Sequence, residues 1–162
     1  MMSEKNIQGK NCCIYKTGES EALLIQAVDE HDLGLLEREA AIIKELTNTP
    51  FTLAAFLVED WNRELSPWEA PAVFGNESFG SGAAETLSYI TDILLPESGV
   101  NGGNIPCYLG GYSLSGLFAL WAAYQTDLFC GIAAVSPSVW FPGWDSYMET
   151  NRIKSAEVYL SL

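Results

Sequence analysis

The sequence predicts an α/β fold, a three-layer sandwich built on a mainly parallel sheet, and three observations predict it. Apolar runs of strand length alternate with helix-length patterns, which is the sequence form of repeated strand–helix units. Several of those runs are apolar almost without interruption, as strands covered on both faces must be. No internal repeat or low-complexity tract breaks the alternation. With 162 residues, 48% of them hydrophobic and 12% aromatic, the chain can bury one sizeable core, so one domain over 1–162 is expected.

The elements follow in order. Ala22–Val28 (ALLIQAV) is a near-continuous apolar run and reads as a buried strand, ending in the polar cluster Asp29, Glu30, His31 and Asp32. Over 35–46 the residues Leu35, Leu36, Ala40, Ile43 and Leu46 recur at helical spacing before Asn48 and Pro50, which predicts a crossover helix. Residues 52–58 (TLAAFLV) form the next strand. The segment 59–82 carries Pro67, Pro71, Gly75, Gly80 and Gly82, and a connection of that length in a compact domain points to a functional loop. Residues 83–95 return to helical spacing through Leu87, Ile90 and Ile93 or Leu94, ended by Pro96 and Gly99, with turn residues Gly102, Gly103 and Asn104 beyond. Residues 107–110 read as a short strand and Leu114–Gln125 as a helix apolar on nearly every side. Gly131–Val135 is another buried strand, and 157–162 begins one more.

Composition narrows the function. Eight Lys and Arg against 21 Asp and Glu give a formal charge of -13, which repels the backbone of nucleic acid and anionic lipid surfaces alike. The first residues, Met-Met-Ser-Glu-Lys-Asn, lack an apolar run behind a basic start. Nowhere do 18 consecutive apolar residues occur, so a soluble cytoplasmic protein is expected. The four cysteines, Cys12, Cys13, Cys107 and Cys130, have neither paired metal spacing nor a disulfide framework, and read as reduced packing residues. No metal site is expected, and nothing in the sequence speaks to oligomeric state.

The chemistry sits in Gly110-Gly111-Tyr112-Ser113-Leu114-Ser115-Gly116, a serine among small residues where an apolar strand meets an apolar helix. That is the setting of a nucleophile elbow. The serine occupies a sharp, strained turn that lifts its hydroxyl above the sheet, and the strand and helix backbones then pass so closely that bulky residues two positions away would clash. Gly111 and Ser115 fill those positions, so the sequence departs from Gly-x-Ser-x-Gly by a serine, with Gly116 immediately after.

Parallel strands deliver their following loops to one carboxyl edge. Four loops should therefore meet at Ser113, carrying residues 29–32, the Asp60-Trp61-Asn62 run, the turn itself, and Ser136-Pro137-Ser138 with Trp140 and Phe141. Trp61, Trp68, Trp140 and Phe141 are candidates to line a pocket for an apolar or aromatic acyl group, or equally to pack in the core. The backbone N–H of Leu114, directly after the nucleophile, is the expected first oxyanion donor. The second should come from residues 29–32 or, alternatively, from Trp61-Asn62. Glu30, His31, Trp61, Asn62, Tyr112 and Trp140 are the substrate-binding candidates.

On these residues the chain resembles the esterase family of α/β-hydrolases that includes esterase D-like and siderophore-esterase-like enzymes. The resemblance runs from about Ala22 onward, carried by AVDEHDLGLLEREAAII, EDWNRELSPWEAPAVFG, GGYSLSGLFALWAA and AAVSPSVWFPGW. It implies a serine carboxylic-ester hydrolase for small-molecule esters that uses no metal or organic cofactor, with Ser113 at the nucleophile position.

In that fold the acid and histidine follow the nucleophile, yet the sequence has a single histidine, His31, upstream of Ser113. Asp127, Asp145 and Glu149 lie downstream, none directly after the strand that normally presents the acid. The expectation is a chain truncated at its C-terminus, lacking its last strands and helix along with the triad acid and histidine. Without a base, only the residual catalysis of oxyanion hole and binding remains, so weak or no ester hydrolysis is expected. Two other readings stay open: a catalytically inactive binding module using the aromatic loops, and an acyltransferase on the same fold.

Overall fold

The structure is a computed structural model and describes residues 2–100, 105–155 and 157–162. The chain opens with a hairpin, β1 (Met2–Ile7) and β2 (Lys10–Lys16), that the sequence pattern does not reveal. Gln8 and Gly9 make its two-residue turn with positive φ at both positions, 45° and 93°, the geometry that matches strand twist. β1 is mostly exposed and polar, so it lacks an apolar alternation to read. β2 buries Cys12, Cys13 and Ile14 and pairs antiparallel with β4 (Phe51–Leu57).

From there the sheet is parallel. β4 pairs with β3 (Ala22–Val28), which pairs with β5 (Cys107–Tyr112), then β6 (Gly131–Val135) and β7 (Glu157–Ser161). The order is β1-β2-β4-β3-β5-β6-β7. Five parallel strands thus point their carboxyl ends to one edge, which is what brings the loops after β3, β4, β5 and β6 together.

Helices cover both faces. After β3 the chain forms a single turn, α1 (Glu30–Leu33), where a loop was expected; the Asp29 carboxylate caps it by accepting the Asp32 N–H at 2.8 Å. α2 (Leu36–Leu46) follows and buries Leu36 and Ala40 against Val28, Phe51 and Leu53. The long segment after β4 contains α3 (Trp61–Glu64), capped by Asp60, and an isolated bridge between Ala70 and Phe79.

On the opposite face, α4 (Ala83–Tyr89) runs into a π-type stretch, Ile90–Leu94, and a last turn, α5 (Leu95–Glu97). Pro96 therefore lies inside the helical run and does not end it. The Leu95 N–H reaches the Ile90 carbonyl, five residues back, and Pro96, which has no N–H to give, follows directly on this wider turn. The turn residues Gly102, Gly103 and Asn104 lie outside the described residues.

α6 (Leu114–Gln125) is buried from Leu114 through Ala123, which explains a sequence apolar on every side. It packs among Phe56, Leu109, Ile132 and Phe129. A short α7 (Trp144–Thr150), not anticipated from the sequence, adds Trp144 to this core. Cys12, Cys13 and Cys107 are buried and Cys130 is exposed, none of them bridged. Burial, with Cys130 adding to it, pushes the Cys107 thiol up to about 12, so it stays protonated as a packing group. Among the described residues no helix is long and apolar enough to cross a membrane.

Candidate active site

β5 stops at Tyr112 and α6 starts at Leu114, so Ser113 alone makes the reversal from strand to helix. Its backbone lies at φ 56°, ψ -120°, a conformation that side-chain-bearing residues seldom adopt. Three backbone bonds hold it there. The Ser113 N–H donates to the Val135 carbonyl at 3.0 Å, and its own carbonyl accepts from Leu117 at 3.1 Å and from Ser138 at 3.0 Å.

The small residues around the turn are dictated by backbone proximity. A Cβ on Gly111 would come within 2.4 Å of the Ser115 backbone. A Cβ on Gly116 would meet the Gly111 carbonyl oxygen at 3.0 Å and Pro137 at 3.2 Å. Ser115, where the stricter pattern has glycine, is buried without penalty because its hydroxyl donates to the Ala27 carbonyl at 3.3 Å. This bond also ties α6 to the end of β3.

Leu114 is the first residue of α6, so its N–H belongs to the first-turn donors that lack an intrahelical acceptor. The N-termini of α1 and α3 present further donors of this kind. In both, an aspartate already occupies the N–H three residues on, Asp32 and Arg63 respectively, leaving the earlier N–H groups of Glu30, His31, Trp61 and Asn62 outside those caps.

The substrate-binding candidates distribute unevenly. Trp61 and Tyr112 share the wall of a cavity of about 460 Å³, together with Asp32, Leu35 and Val135. Ser113 is not in that wall. The cavity runs along the α2 side of β3, β5 and β6, so it is partly bare sheet face and is not a pocket centred on the serine. Glu30 and His31 are exposed on α1 and do not line it, while Asn62 is half-buried on α3.

Trp140 is 45% exposed and meets Phe74 edge-on at 5.0 Å, with Phe79 at 6.1 Å. Trp68 and Phe141 are packing residues. Trp68 contacts Phe141, Trp144 and Tyr147, and its indole N–H donates to the Pro142 carbonyl at 2.9 Å. Phe141 is 2% exposed.

The group actually brought to the Ser113 hydroxyl is Ser138, with the two Oγ atoms 3.3 Å apart. The loop after β6 was legible as one that converges on Ser113, but no spacing rule singles out this hydroxyl within it. His31 makes no hydrogen bond to Ser113 among the described residues, and no carboxylate does.

No family model matches the sequence, and no curated protein is similar to it. Solved structures are similar in fold. An IroE-like serine hydrolase from Shewanella oneidensis superimposes with a TM-score of 0.79 at 17% identity, over 92% of this chain and 55% of that one. The siderophore hydrolase EstA from Aspergillus nidulans gives 0.70 at 21% identity, over 91% of this chain and 61% of that one. The enterobactin esterase FES from Shigella flexneri gives 0.57 at 14% identity, over 88% and 37%. The chain therefore has an α/β-hydrolase-like fold and spans between about half and three-fifths of the first two structures it matches. These neighbours fall in the group that the sequence strings resemble.

Proposed function

We propose that this chain carries the nucleophile half of a serine carboxylic-ester hydrolase, acting on small-molecule esters through an acyl-enzyme on Ser113. The observation that carries the reading is the Ser113 backbone at φ 56°, ψ -120° between a buried parallel strand and a buried helix. Strain of this kind persists only where the surroundings hold it, and it concentrates at functional sites. The turn sets the hydroxyl at the carboxyl edge next to Leu114, whose first-turn N–H has no acceptor within α6 and would stabilise the oxyanion formed when Ser113 attacks a carbonyl. That the fold neighbours include a siderophore hydrolase and an enterobactin esterase supports esters of that class as the first substrates to try.

A base within hydrogen-bond reach of Ser113 is absent among the described residues, so a general base would have to be supplied from elsewhere. The 162-residue chain is accordingly expected to turn over esters slowly, at the level left by oxyanion stabilisation and binding. The test is labelling with a fluorophosphonate probe, comparing the chain with Ser113→Ala. Slow labelling confined to Ser113 is the expected result, and labelling that survives the substitution would overturn the assignment.

A further inference from the structure

We propose that Ser138 is a positioning residue for Ser113, acting as the hydrogen-bond donor that holds the nucleophile's oxygen. The proposal rests on the reading of Ser113 as nucleophile. Ser138 is 1% exposed, and among the described residues its hydroxyl has one hydrogen-bond partner, the Ser113 Oγ at 3.3 Å. A buried hydroxyl finds a partner because leaving it without one is costly, and here that partner is the reacting atom itself.

The loop is built to keep it there. Immediately after β6 the backbone kinks at Ser136, with φ 41°, and the Ser136 N–H donates to the Ser161 carbonyl at 2.8 Å. Pro137 then lies against Gly116, and the Ser138 N–H donates to the Ser113 carbonyl at 3.0 Å. Val135 holds the Ser113 N–H from the strand end. Ser113 is thus gripped at its N–H, its carbonyl and its hydroxyl by one strand and the loop that follows it.

A serine hydroxyl has one hydrogen to give and two lone pairs to offer. With Ser138 donating, the Ser113 hydrogen stays free for a base, and the Ser113 oxygen receives a bond that strengthens as negative charge gathers on it during attack. In the acylation step the Ser113 oxygen bonds to the ester carbonyl carbon and the alkoxide or phenolate leaves with the pair of the broken C–O bond, an alkoxide then taking up the proton that the base removed from Ser113. The Ser113 proton passes to the base, and Ser138 keeps its own.

The test uses the 162-residue chain with p-nitrophenyl acetate at alkaline pH, where hydroxide serves as base. Acetyl-Ser113 is quantified by peptide mass spectrometry against time and ester concentration. Ser138→Ala and Ser138→Cys should lower the saturating acetylation rate about tenfold, which corresponds to one lost hydrogen bond. The ester concentration giving half that rate should not move. Cysteine preserves the packing while donating weakly, so the pair separates a lost donor from a disturbed fold.

Acetylation at the parental rate in either variant overturns the positioning role, as does a change confined to the half-saturating concentration. If the parental chain gains no acetyl group at Ser113, the nucleophile reading itself fails.

Discussion

At position 113 two costs are superimposed that substitution can separate. The backbone at φ 56°, ψ -120° costs a residue bearing a Cβ about 1–3 kcal/mol, and removing the hydroxyl leaves Ser138 without its partner. Ser113→Ala and Ser113→Gly both delete the hydroxyl, so their difference reports the backbone alone. Glycine is expected to be the more stable of the two by about 1 kcal/mol, even after the flexibility it adds to the unfolded chain. Urea denaturation of the two variants checks this, and alanine the more stable would place Ser113 in ordinary backbone. Much of this was legible, because the requirement for small residues at 111 and 115 follows from the turn. Ser138 was not, since its role depends on a contact between loops 25 positions apart.

At the scale of elements, the hairpin is tied to the loop after β4 by one charged link. Glu64 is 8% exposed; one oxygen accepts the N–H groups of Glu59 and Asp60, and the other pairs with Lys10 of β2. Burial raises this carboxyl, but the Asp60 and Glu59 N–H groups and the Lys10 ammonium outweigh it and hold the group below its usual value. A carboxylate depressed in the folded state adds stability above its unfolded value, and that stability is lost as pH falls through the folded value. Glu64→Gln is therefore expected to cost about 1–3 kcal/mol at neutral pH, with the difference from the parent closing on acidification below about pH 4. Stability curves in urea at several pH values check it; a constant difference would mean that the charge contributes nothing. The hairpin escaped the sequence reading because β1 is a mostly exposed, polar edge strand, although the Gln8-Gly9 pair was a faint turn signal. The limits of β3 and α6 were legible because each is buried almost throughout. β6, expected to be buried, is covered on one face only and leaves Ala133 and Val135 exposed on the other. Seven-residue α7, following Gly143, is too short to establish a period.

At the scale of the molecule, the sheet is covered unequally. α2 shields the β3 and β4 part of one face, while the same face of β5, β6 and β7 exposes a row running through Tyr112, Ala133, Val135 and Tyr159. The opposite side of β7 leaves Val158 and Leu160 exposed as well. Apolar residues gathered on a strand with an open edge attract other apolar surfaces, including a second copy. Against this stands a net charge of -13, whose repulsion between copies weakens as salt is added. Between about 0.01 M and 1 M salt the screening length falls from about 30 Å to about 3 Å, which removes the repulsion and leaves the apolar attraction. The chain is thus expected to bind an anilinonaphthalene dye while retaining fixed tertiary packing, and to self-associate on sedimentation as salt rises. Tyr159, at 63% exposure, contributes little to folding, so Tyr159→Glu should leave the melting temperature nearly unchanged, reduce the dye signal and suppress the association. Dye binding and sedimentation unaffected by Tyr159→Glu would show that this row is not the attractive surface.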